Sequence, residues 1–165
     1  MMNKAVEAAR LPPEKHEEAF GRVEKELSAS QTVLVRVLVP SLIHVSRSYR
    51  RNQANLRCAA IGVSAEQYRL KHNEWPATLE ELVKAKLLET VPVDPFDGRP
   101  LRYKTLPDGV VIYAVGEDGV DNGGVLNRSH RFQQGTDFGF RLWDVGARRQ
   151  ASLPPPPPEE LGGPP

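Results

Sequence analysis

The chain has 165 residues, 39% hydrophobic, 7% aromatic and 26% charged, with 22 Lys+Arg against 21 Asp+Glu. This fits one globular domain with tails rather than a multidomain enzyme, and a net charge of +1 lacks the basic excess of a dedicated nucleic-acid binder. The single cysteine, Cys58, excludes an intramolecular disulfide and a zinc site built on paired cysteines.

The neutral total conceals a division. Residues 30–73 hold 7 basic and 1 acidic side chains, a net +6, whereas residues 74–127 hold 5 and 10, a net −5. At the start, Met1 to Ala9 carries no apolar region of the kind a signal peptide uses. That suits either a cytoplasmic protein or part of a longer chain. Pro12 to Leu27 begins with prolines and early glutamates suited to a first helical turn and predicts a short amphipathic helix. His16, set among charges, reads as a solvated surface residue. The most apolar stretch, Thr32 to Ile43, is shorter than the roughly 20 residues a spanning helix needs and contains Arg36 and Pro40, so no membrane span is expected in this chain.

From Ser41 the spacing predicts a long helix, with Pro40 opening or kinking it. Leu42, Tyr49, Leu56, Val63 and Leu70 recur every seven residues, with Val45, Ala59 and Ala60 between them, and form one apolar stripe. Leu42, Tyr49 and Leu56 are the candidate partner-binding residues. Arg47, Arg50, Arg51, Arg57 and Arg69 lie on other faces, either as a solvated surface or as a phosphate- or partner-binding face. Cys58 reads as a small buried side chain. Asn73 to Pro76 breaks the helix, and Thr78-Leu-Glu-Glu81 is a capping box opening a second short helix. Val91 to Pro100 is too proline-rich for regular structure. Leu101–Leu106 and Val110–Val115 flank Pro107-Asp108-Gly109 and predict a hairpin, while Asp137–Trp143 alternates like a third strand. Seven prolines fall within Pro154 to Pro165, which predicts a disordered, extended tail.

The order of these pieces resembles a known family. Tyr68-Arg-Leu-Lys-His-Asn-Glu-Trp-Pro76, then Leu79-Glu-Glu-Leu-Val83, Val93-Asp-Pro-Phe-Asp-Gly-Arg-Pro-Leu-Arg-Tyr103 and Tyr113-Ala-Val-Gly-Glu-Asp-Gly119 are similar to the globular part of the major pseudopilin of type II secretion systems, over residues 41–143. The resemblance implies an α+β fold, with a long helix packed on a small three-stranded antiparallel sheet. It divides the chain into a helical extension (1–40), a pseudopilin-like domain (41–146) and a proline-rich tail (147–165). It also implies a periplasmic or cell-envelope structural subunit of a pilus-like assembly, contacting other pseudopilin-like subunits or itself through the long helix, and no enzymatic activity. The family's basic leader and apolar spanning helix do not occur in these residues, which suits the C-terminal part of a longer protein or a divergent relative that reuses the fold.

The loop 116–137 concentrates Glu117, Asp118, Asp121 and Asn122 among glycines, hard oxygen donors on a backbone able to turn sharply. Its spacing fits no EF-hand. In the pseudopilin family the equivalent loop binds Ca²⁺. Carried over by position, the resemblance implies Asp118, the backbone carbonyl of Val115 and Asp137 as ligands, with Asp121 and Asn122 as further candidates. Asn127 to Gln134 is an insertion relative to the family. His44, His72 and His130 fall in different segments and Ser129 lies in no nucleophile-elbow context, so no catalytic set is expected. The alternative function is a nucleic-acid or anionic-partner module using the basic helix 41–73.

Overall fold

Pro12 and Pro13 divide two short N-terminal helices in the computed structural model, which describes residues 2–28, 33–127 and 135–148. α1 (Met2–Arg10) leads through a 3₁₀ turn at Pro13–Lys15 into α2 (His16–Ser28), with Glu17 and Glu18 at the positive end of the α2 dipole. Ala5, Ala8, Ala19, Phe20 and Val23 form a small cluster of their own, against which Ile43 packs. His16 is not the solvated residue expected from its neighbours; it is buried, and its ring stacks on Tyr49 at 5.5 Å between centroids. Its Nε2–H donates to the Leu11 carbonyl at 2.7 Å, while Nδ1 lies 3.3 Å from the Ser46 hydroxyl. Both polar ends of the ring are thereby satisfied out of water.

α3 (Val33–His72) has 40 residues and contains Pro40 within it, so the helix is continuous across the boundary expected at residue 40. At ~1.5 Å per residue it is about 60 Å long. Its packed face carries Ala54, Cys58, Ile61 and Ala65, which share the main core with Leu79, Leu82, Leu101, Ile112, Ala114 and Phe138. These positions recur at three- and four-residue spacing along one face. Small residues there let the helix axis approach the sheet closely. At Gly62 an added Cβ would already touch Ile112 and Leu142 at 3.7 Å.

The apolar stripe of the sequence pattern is therefore not the face that packs on the sheet. Leu42, Tyr49, Leu56, Val63 and Leu70 are 40%, 45%, 64%, 61% and 67% exposed.

After α3, Asn73 adopts a positive φ of 60° and ends the helix. α4 (Leu79–Lys84) has Thr78 as its N-cap, but the expected capping box does not form: Thr78 makes no side-chain cap, and Glu81 reaches past it to accept the Ala77 N–H at 2.8 Å. Trp75 donates its indole N–H to Asp144 at 2.5 Å, and the Arg69 guanidinium lies over its ring.

Three antiparallel strands follow in the order β1 (Arg102–Leu106), β2 (Gly109–Ala114) and β3 (Phe138–Trp143). The two-residue turn Pro107-Asp108 sets Leu106 opposite Gly109. Gly109 is required, since a Cβ there would lie 2.0 Å from the Leu142 carbonyl. Every residue of β2 is buried, because it is the central strand and both its faces are covered. Ile112 and Ala114 face the helix core, while the segment around Gly124 lies against Val111 and Tyr113. The architecture is the expected α+β arrangement of a long helix and a three-stranded antiparallel sheet. The proline-rich run and most of the insertion at 127–134 lie outside the described residues.

Candidate functional sites: an acidic loop and an exposed helix face

Between β2 and β3 the chain turns on glycines with positive φ, Gly116, Gly119, Gly123, Gly124 and Gly135, which bring backbone N–H groups round to face carboxylates. Asp118 accepts from Val120 N at 3.1 Å and Gly135 N at 3.0 Å, tying the two ends of the loop together. These amide bonds hold its carboxyl below the usual range. Asp121 accepts from Gly123 N at 2.9 Å and from the Tyr113 hydroxyl at 3.2 Å. Burial, with Asp121 alongside, pushes that hydroxyl up to about 12.

Asp137 is the buried member, at 2% exposure. Its two oxygens accept Asn122 N at 3.1 Å and Gly124 N at 2.7 Å. Burial raises its pKa against the pull of those amides, and nearby Asp121 adds to the rise. Among the described residues, no cationic side chain forms an ion pair with it. The structure thus gathers Asp121, Asn122 and Asp137, with Asp118 stitched to the far end of the loop.

Val115 points elsewhere through its amide, which donates to Asp94 at 2.9 Å. Asp94 is a structural hub that the sequence reading did not single out. Fully buried, it also accepts Phe96 N at 2.8 Å and the Arg102 guanidinium at 2.5 Å. Burial raises its pKa, and Asp97 beside it adds to the rise. Arg102 joins Asp94 and Asp97 and lies 3.6 Å from Asp121, so one guanidinium serves three carboxylates. The only sequence signal for this hub was the Asp-Pro-Phe-Asp-Gly run read as a turn.

Among the described residues no group of three or more His, Cys, Asp or Glu is arranged to hold a metal ion. Calcium also takes Asn and backbone carbonyl oxygens, which such a grouping does not count. Asp137 is buried without a cationic partner among the described residues, its two oxygens facing the Asn122 and Gly124 amides, with Asp121 nearby.

The arginines of α3 are largely engaged within the chain. Arg50 pairs with Glu17 at 2.6 Å, Arg51 with Glu117 at 2.7 Å and Arg69 with Glu66 at 2.7 Å. Arg57 donates to the Val93 carbonyl at 2.5 Å. Arg50, Arg51 and Arg57 thereby tie α3 to α2, the loop and the Asp94 turn. Leu42, Tyr49 and Leu56 lie on the exposed stripe. Cys58 is fully buried, and burial, with Asp94 nearby, pushes its thiol up to about 12.

No protein-family model, curated protein or solved structure matches this chain. Among the described residues, no helix is long and apolar enough to cross a membrane.

Proposed function

We propose that the chain is a non-enzymatic interaction subunit of the pseudopilin type, acting at the cell envelope. Its sheet and acidic loop form a head that presents α3 to neighbouring subunits. The observation that carries this reading is the run of large apolar side chains along α3, exposed from Leu42 to Leu70 while the opposite face of the same helix is closed into the core. Monomeric proteins rarely leave contiguous apolar patches of several hundred Å² uncovered. The order of the pseudopilin-like motifs supports the same reading.

Ca²⁺ is the proposed cofactor of the loop. Asp118, Asp121 and Asp137, with Asn122 and the Val115 carbonyl, would hold it. The cation would supply the counter-charge that Asp137 lacks among the described residues and fasten the loop to β3. Calcium is expected to raise the thermal midpoint, and Asp118→Ala to abolish the rise. Superimposable melting curves in calcium and in chelator would refute the calcium assignment.

A further inference from the structure

We propose that α3 pairs antiparallel with α3 of a second copy of this chain, about a two-fold axis at Leu56. This rests on the reading of α3 as the interaction surface and is independent of the calcium loop. The stripe is symmetric about Leu56: Tyr49 and Val63 stand one heptad away on either side, and Leu42 and Leu70 two heptads away. An isologous pair thus sets Leu56 on its own copy, Tyr49 against Val63 and Leu42 against Leu70.

Three features select a second copy, and the first also selects this orientation. The first is shape. At the N-terminal end, Val6 of α1 joins Leu42, Val45 and Tyr49 around an apolar groove of about 360 Å³. At the C-terminal end Val63 and Leu70 protrude, so an antiparallel pair seats the projecting end of each helix in the groove of the other. A parallel pair would set groove against groove.

The second is charge. Of the cations in residues 41–57, Arg50 and Arg51 are paired with Glu17 and Glu117 and Arg57 faces the Val93 carbonyl, and Glu66 further along is paired with Arg69 and Arg148. Beside the stripe from Tyr49 to Val63, Ser48 and Asn55 on one side and Gln53, Ala60 and Gln67 on the other are uncharged, which permits contact between two identical faces.

The third is area. Side chains of this size, exposed to this extent, present on the order of 600 Å² per copy, so a pair would bury about 1,200 Å², the lower end of specific interfaces. A micromolar, concentration-dependent dimer is the expected result.

The test is sedimentation velocity on the full chain from about 1 to 200 μM, for the wild type and Leu56→Glu. Because Leu56 is 64% exposed, the variant should keep the wild-type circular dichroism and melting midpoint while its self-association weakens about 30-fold or more. Orientation is read from spin labels on Lys71→Cys. Cys58 is buried and stays unlabelled. The antiparallel pair sets the two labels about 45 Å apart, from the helical rise. A monomer across the whole range, or labels within about 20 Å of each other as parallel packing requires, would overturn the proposal. Should Leu56→Glu instead abolish binding to a different, pseudopilin-like subunit while the wild type stays monomeric, the homodimer fails but the interaction reading stands.

Discussion

Replacing Ile61 by Ala, beside a matched replacement of Leu56 by Ala, tests which face of α3 holds the domain together. Ile61 is fully buried among Ala54, Cys58, Ala65 and the sheet, while Leu56, on the same helix, is 64% exposed. Truncating a buried isoleucine removes its transfer energy and leaves a cavity, a cost of about 2–5 kcal/mol. That is a large share of the roughly 5–15 kcal/mol by which a small domain is stable. It corresponds to a fall of roughly 4–20 °C in melting midpoint for a chain of this size. Leu56→Ala removes side-chain surface that is mostly in water and should change stability by less than about 0.5 kcal/mol. Urea unfolding followed by circular dichroism, at concentrations low enough that self-association does not contribute, measures both. If Leu56→Ala proved the costlier of the two, the heptad stripe would be the true packing face and the assignment of the core would be wrong.

The loop yields two further expectations. Gly124→Ala combines a φ of 85° with a Cβ 2.9 Å from Val111 Cγ1 and should cost about 1–3 kcal/mol in the same unfolding assay. Gly119→Ala, at φ 67° with open space around it, should cost about 1 kcal/mol, the backbone part alone; equal losses would mean that the loop does not press on β2. Asp137 governs a pH response. Its raised pKa means that the folded chain binds more protons than the unfolded one, so its contribution to stability is greatest below the ordinary carboxylate range and declines as pH rises through the raised value. Asp137→Asn should flatten that decline above the ordinary carboxylate range, leaving the part due to Asp94, at a fixed cost of about 1–3 kcal/mol, because Asn offers one acceptor oxygen to two amides. An unchanged pH profile of the melting midpoint would refute the assignment.

The hairpin and third strand were legible because turn chemistry is local: Pro107, Asp108 and Gly109 sit where a two-residue turn needs them, and the observed strands match the expected ones to within a residue. The face of α3 was not. Periodicity weights large apolar side chains, and here these lie on the exposed face, while Ala54, Cys58 and Ala65 pack on the sheet because they are small. His16 was misread for a related reason. Its charged neighbours in sequence face water, and the Ser46 and Tyr49 that enclose it come from another helix. Asp94 looked like a turn former; its burial depends on Arg102 and Val115, whose approach is a product of tertiary structure alone. In the loop, the residue types were readable, but the amide partner of each carboxylate depends on glycine geometry that sequence leaves open.

α3 runs through both hydrophobic clusters, the alanine-rich one under α1 and α2 and the larger one on the sheet, and it is the strut they share. The N-terminal helices are tied to α3 by Arg50 on Glu17 and by the buried His16, which stacks on Tyr49 and meets the Ser46 hydroxyl. The N-terminal helices can therefore peel away at the cost of the smaller cluster and these few contacts, leaving the head folded: a local opening well below the global unfolding energy, with amides in α1 and α2 exchanging faster than those in β2.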